Sequence, residues 1–191
     1  MLPENIGGIY IGGGFPEEYA HGLSANESMR SALVELLQKD IPCYAECGGL
    51  MYLCQSIRTA SGEELPMVGA LARQSIMSRD RGGLVIGYRE ARALRDTLLT
   101  VQGEVVRGHE FHYSCLDAPF AREEAAYQFT SRGQVEGFAR GNLLATYLHL
   151  SFSGFPLAAQ RFVSAARVWQ SDVGAQFIAP CSGNESAPRA Q

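Results

Sequence analysis

The run Ile41-Pro42-Cys43-Tyr44-Ala45-Glu46-Cys47-Gly48-Gly49-Leu50-Met51-Tyr52-Leu53 constrains the fold more than any other stretch of the chain. Ile41 to Tyr44 is short and mostly apolar, as a buried strand is. Leu50, Leu53, Cys54 and Ile57 then recur at i, i+3, i+4 and i+7, the repeat of a helix with one buried face. A strand that feeds straight into a helix needs a sharp bend. Ala45 and Gly49 leave room for one, with Cys47 projecting from its middle. This is the nucleophile-elbow pattern with Cys in place of Ser. A thiol there meets the unpaired N–H groups of a helix start, which favour negative charge. The same residues also fit a structural cysteine beside a tight turn, because free cysteine is among the most often buried residues.

The flanking segments extend the pattern. Ile6 to Ile11 reads as a buried strand that ends in Gly12-Gly13-Gly14-Phe15-Pro16-Glu17. Glycines at a strand end let backbone N–H groups face a ligand, or simply form a turn. A phosphate loop of the Walker type is excluded, because no Lys follows. Ser24 and Glu27 predict a capping box. Met29, Leu33, Leu36 and Leu37 share one face of the helix that follows, which stops before Ile41-Pro42. Strand, helix, strand, elbow and helix in this order predict a parallel α/β layout.

From Leu65 to Tyr113 helical periodicity fades. Met67–Leu71, Leu84–Tyr88, Thr97–Val101 and Val105-Val106 read as short strands at the edge of, or inserted beside, the main sheet. Tyr127–Thr130 and Val135–Ala139 predict a hairpin. Leu143–Leu148 predicts a further strand with His149 at its end. Pro156 suits the first turn of a helix, whose buried face is Phe155, Ala159, Phe162, Ala166 and Trp169. One domain over 1–173 and a weakly structured tail over 174–191 follow from this pattern.

Composition narrows the function. The net charge is −4 and no Lys/Arg cluster appears, which argues against nucleic acid and anionic membranes as partners. No apolar run is long enough to span a bilayer, and the first residues lack the pattern of a signal peptide. The five cysteines are scattered and mostly on apolar segments, which suggests reduced thiols and a cytoplasmic location.

In an open α/β sheet, ligands bind beyond the carboxyl ends of the strands. Gly12 to Gly14, Cys47 and His149 all fall at such ends. Cys47 is the candidate nucleophile and His149 its base. The N–H of Gly48 and that of Gly13 or Gly14 are candidate oxyanion donors. His109, Glu110, His112 and Cys115 do not form a zinc pattern, because His109 and His112 point to opposite faces of a strand. No metal site is expected.

Four segments together resemble a known family. They are Gly12 to Glu17, Tyr44 to Leu53, Gly108-His109-Glu110-Phe111-His112-Tyr113-Ser114 and Ala145-Thr146-Tyr147-Leu148-His149-Leu150. The likeness is to the glutamine amidotransferase domain of cobyrinic acid a,c-diamide synthases and spans about Ile6 to Trp169. It implies a three-layer, flavodoxin-like class I amidotransferase fold with a mostly parallel sheet. It also implies that Cys47 attacks glutamine, that His149 is its partner, and that His112, Tyr113 and Ser114 line the glutamine pocket. The ammonia released would amidate the a and c carboxylates of a corrin acid. ATP and Mg²⁺ would be bound by a synthetase domain or subunit, and no cofactor by this chain itself.

The sequence departs from that pattern in two places. Ser151 stands where related triads often carry a Glu two residues after the His. A Cys–His dyad is therefore expected, its ring held by a backbone carbonyl or water, with Glu46 and Glu110 as unranked alternatives. Nothing in the chain resembles the ATP-binding N-terminal domain, so that domain is expected to have been removed or to be a separate polypeptide. A binding or regulatory module, a cysteine hydrolase, and an amidotransferase for nickel-sirohydrochlorin, cobyrinic diamide or a cell-wall precursor remain alternatives.

Overall fold

A computed structural model describes residues 2–77 and 83–178. In chain order the strands are β1 (Ile9–Ile11), β2 (Cys43–Glu46), β3 (Cys54–Arg58), β4 (Glu64–Pro66), β5 (Leu71–Met77) and β6 (Val85–Ala93). They continue with β7 (Val105–His112), β8 (Ser114–Leu116), β9 (Ala125–Phe129), β10 (Val135–Arg140) and β11 (Leu143–Thr146). The α-helices are α1 (Ala20–Ala25), α2 (Glu27–Gln38), α3 (Gly48–Leu53) and α4 (Pro156–Ile178).

The main sheet runs β1-β2-β11-β10-β9-β6-β7, and a second runs β4-β3-β5-β8. Strand β2 lies between β1 and β11, parallel to both, with Ala45 level with Ile11 and Ala145. All four β2 residues are buried, as a central strand covered on both faces requires. Apolar side chains pack on both sides of this sheet, around Leu50 and Leu53 on one and Leu144 and Leu148 on the other. The α/β class is as expected, but parallel pairing in the main sheet is confined to these three strands. The other four pairings are antiparallel. Gly133 and Gly141, both at positive φ, lie in the tight connections that turn β9 into β10 and β10 into β11.

Local chemistry accounts for the remaining differences. The cap of α2 is Asn26, whose side chain accepts from the Met29 N–H, rather than Ser24. Helix α3 stops at Leu53, and Cys54 and Ile57 belong to β3. Both are fully buried there, so a buried strand mimicked the helical repeat. Thr97–Val101 is a turn, not a strand. The Thr97 hydroxyl accepts from the N–H groups of Leu99 and Thr100, while Leu98 and Leu99 plug the core. Helix α4 begins at Pro156 as expected but continues through Gly174 to Ile178. The rest of the expected tail, with Cys181, lies outside the described residues.

Candidate active site

The elbow is built as its sequence requires. Strand β2 ends at Glu46, α3 begins at Gly48, and Cys47 between them has φ 49° and ψ −104°. Few non-glycine residues adopt positive φ, and such strain persists only where the surroundings impose it. Here they do. The Cys47 N–H donates to the Thr146 carbonyl at 2.8 Å, and its carbonyl accepts from Met51 N–H. A Cβ at Gly49 would sit 2.2 Å from the Ile11 carbonyl oxygen. Only glycine lets α3 approach β1 this closely. The Cys47 thiol donates to the Phe111 carbonyl at 3.6 Å.

His149 lies three residues past β11. Its backbone exchanges two hydrogen bonds with His109, at 2.9 and 3.2 Å, and the two rings stack 4.6 Å apart. A Cβ at Gly108 would meet the His149 carbonyl oxygen at 2.3 Å, so this approach also requires glycine. The loop after β1 closes the third side. A Cβ at Gly13 would lie 2.6 Å from His149 Cε1 and 3.7 Å from Cys47 Cβ, and one at Gly48 would lie 2.7 Å from the Gly14 carbonyl oxygen. Cys47, His149, Gly13, Gly14 and Gly48 therefore meet at one point.

The expected dyad has an acidic neighbour. His149 Nδ1 is 3.6 Å from Glu46 Oε1. That oxygen accepts from Tyr10 Oη at 2.5 Å, and Oε2 accepts from Tyr44 Oη at 2.7 Å. Burial works against the carboxylate charge, but the His149 ring facing it and the hydrogen bonds from Tyr10 and Tyr44 outweigh it and lower the pKa of Glu46. His149 is pushed up to about 9, first by the Cys47 sulfur beside it and then by the Glu46 carboxylate, against burial. The imidazole is thus an imidazolium near neutral pH. Glu110, the other candidate acid, is 2.6 Å from Arg89 and 3.7 Å from His112. Ser151 is exposed, and its hydroxyl accepts from the Gly154 N–H.

The expected pocket wall of His112, Tyr113 and Ser114 is divided. His112 and Ser114 face a half-open cavity of about 300 Å³ with Glu110, Glu136 and Tyr147. His112 stacks on Tyr147, and Ser114 Oγ is 2.9 Å from Tyr147 Oη. Tyr113 instead borders an open cleft with Phe15, Glu17 and Glu18. Sequence reasoning left Glu46 unranked and missed Tyr10, Tyr44 and His109. Tyr44 and Glu46 are two apart on β2 and so share a face, and Tyr10 is level with Tyr44. Among the described residues no cluster of three metal-ligating side chains occurs, and no helix is long and apolar enough to cross a membrane.

A thiol on a strained strand–helix turn, faced by an imidazolium and by backbone of a glycine loop, is an arrangement for acyl transfer through a covalent intermediate. Comparison with known proteins makes the class specific. Residues 1–156 match the CobB/CobQ-like glutamine amidotransferase domain, and the chain belongs to that family. It is 43% identical over 173 residues to a cobyrinate a,c-diamide synthase of Dehalococcoides mccartyi, covering 87% of this chain and 36% of that protein. It is 41% identical over 166 residues to a hydrogenobyrinate a,c-diamide synthase of Streptomyces coelicolor, covering 87% and 32%. The chain therefore spans about a third of the length of these relatives. A solved glutamine amidotransferase shares the fold, with TM-score 0.63 and 13% identity over 86% of this chain and 81% of that one.

Proposed function

We propose that this domain hydrolyses glutamine and supplies the ammonia for ATP-dependent amidation of the a and c carboxylates of cobyrinic acid, or its cobalt-free counterpart, in cobalamin biosynthesis. The observation that carries this reading is the meeting of Cys47, His149 and Glu46 at the strained turn. The Cys47 thiolate attacks the carboxamide carbon of glutamine. The oxyanion that forms is met by the N–H of Gly48 and that of Gly13 or Gly14. His149 gives its proton to the departing nitrogen, which leaves as ammonia. Water, deprotonated by His149, then attacks the thioester, releases glutamate and restores the thiol. Glu46 holds the His149 ring in place throughout.

The acceptor carboxylate must be activated before ammonia attacks it. This reading assigns ATP and Mg²⁺ to the synthetase part that the relatives' greater length leaves room for, and the reaction to the cytoplasm. Purified chain, glutamine and a glutamate assay test the first half. Adding a synthetase partner, ATP, Mg²⁺ and cobyrinic acid tests the second, with the a,c-diamide as the expected product. Glutamate release that vanishes in Cys47→Ala is expected. Release that persists in that variant overturns the mechanism.

A further inference from the structure

We propose that the outer face of the β6–β7 ribbon is the surface on which the ammonia-consuming synthetase part docks. This rests on the amidotransferase reading above. Strand β7 ends the main sheet, paired with β6 and bridged at His109 to His149. The register sets Ile86 opposite Phe111 and Tyr88 opposite His109. These side chains alternate with buried ones and share one face. Ile86 is 60% exposed, Tyr88 90% and Phe111 38%. Leu84 and Tyr113 extend the exposed apolar surface. The opposite face holds the ion pair of Arg89 and Glu110, with His112 beside it. A solvated edge ribbon usually turns its charges outward. At its Ile86–Tyr88 end this one turns Arg89 and Glu110 in and its apolar residues out, while further along the same outer face carries the exposed ion pair of Glu90 and Arg107. A contiguous exposed apolar patch marks an interaction surface.

The position of the ribbon identifies the occupant. Phe111 accepts from the Cys47 thiol through its carbonyl, and His109 is bridged to the backbone of His149. A body seated on Ile86 and Tyr88 is therefore one residue pair from both groups of the site. Ammonia released into water is mostly protonated and no longer attacks a carboxyl group, so its consumer must sit close. The relatives are about three times the length of this chain's match to them, so a larger body accompanies this domain in them. A second copy on the ribbon would cover the site in both copies and deliver ammonia to neither.

The test is a chimera in which this chain replaces the matched region of the Dehalococcoides mccartyi synthase. Hydroxyl-radical labelling of Tyr88 should fall severalfold in the chimera relative to the free chain. Glutamine-driven amidation, divided by amidation driven by added ammonium, should fall about tenfold or more in the Ile86→Glu/Tyr88→Glu double variant, as for loss of a central aromatic anchor. Val168→Glu, at another exposed apolar residue on α4, should leave that ratio unchanged. The free double variant should still release glutamate at the wild-type rate. Tyr88 equally reactive in chimera and free chain, or a ratio untouched by the double variant, overturns the proposal. So does Tyr88 protection that appears in the free chain as its concentration rises, which assigns the face to a second copy. Absence of glutamate release by the free wild-type chain faults the amidotransferase reading rather than the interface.

Discussion

Glu46 and His149 face each other at 3.6 Å although they belong to different strands' ends, and Glu46 immediately precedes Cys47 in the chain. The turn that strains Cys47 therefore also fixes the carboxylate that holds the imidazolium. Tyr10 and Tyr44 keep that carboxylate ionised by donating to its two oxygens.

Glu46→Gln should lower the pKa of His149 from about 9 toward its ordinary 6.5. The raised pKa of His149 adds stability that is full below pH 6.5 and lost as pH rises through 9, while the lowered pKa of Glu46 adds stability that is full above pH 4.5 and lost in acid, so Glu46→Gln should reduce stability most between about pH 4.5 and 6.5. The alkaline limb of the glutaminase profile should move to lower pH, because the imidazolium must protonate the departing nitrogen. Glu46→Asp should restore part of the shift. Titration of the ring by NMR checks this; an unmoved pKa would remove Glu46 from its positioning role.

Gly13→Ala should cost roughly 10²-fold in glutaminase rate, as a misplacement of about 1 Å does. The new methyl would lie 2.6 Å from His149 Cε1 and push the ring off Cys47. Gly14→Ala should lose far less, because a methyl there meets nothing within 4 Å. Thermal midpoints of both variants should stay near wild type. Equal losses in the two would mean that loop mobility, not the ring contact, controls the rate.

The elbow was legible because its constraint is steric and local. Gly48 and Gly49 are needed wherever a helix start meets another backbone, and the sequence shows them beside Cys47. His149 was legible from its place after a buried strand. The carboxylate partner was hidden, because it depends on which face of β2 meets β1 and on the register of Tyr10 with Tyr44. Of the antiparallel half of the sheet the β9–β10 hairpin was legible, but the direction of the rest was hidden, since short apolar runs such as Val85–Tyr88 do not state it. Thr97–Val101 misled because Leu98 and Leu99 are core residues carried on a turn. Strand alternation separates Tyr113 from His112 and Ser114, which share one cavity.

A glutamine-like chloroketone should label Cys47 and spare Cys43 and Cys54. Burial pushes both of those thiols up to about 12, and neither is exposed, so their reactive thiolate is scarce at neutral pH. Ser151→Ala should be nearly silent, since its hydroxyl serves only the exposed turn to Gly154. Peptide mapping and glutamate assays check the pair. Label found mainly on Cys43, or a Ser151→Ala defect as large as that of His149→Ala, would contradict the assignment.

Glu136 provides a stability test separate from catalysis. It is buried, and burial pushes its pKa up to about 7 from 4.5, only partly offset by hydrogen bonds from Thr146 Oγ1 at 2.5 Å and Tyr147 N–H at 2.6 Å. The folded state therefore holds this acid's proton more tightly than the unfolded chain does. Its contribution to stability is full below pH 4.5 and declines as pH rises to 7. At about 1.4 kcal/mol per pK unit, the decline is on the order of 3 kcal/mol. Glu136→Gln removes the titration. Its amide oxygen still accepts from Tyr147, while its NH₂ meets the Thr146 hydroxyl, which must reorient because it also accepts from the Leu148 N–H. That mismatch costs the same at every pH. Relative to wild type, the variant should thus gain stability between pH 4.5 and 8, whatever the sign of its offset in acid. Urea unfolding of both proteins at several pH values measures the difference. Parallel stability curves would show that Glu136 ionises in the fold as readily as in the unfolded chain.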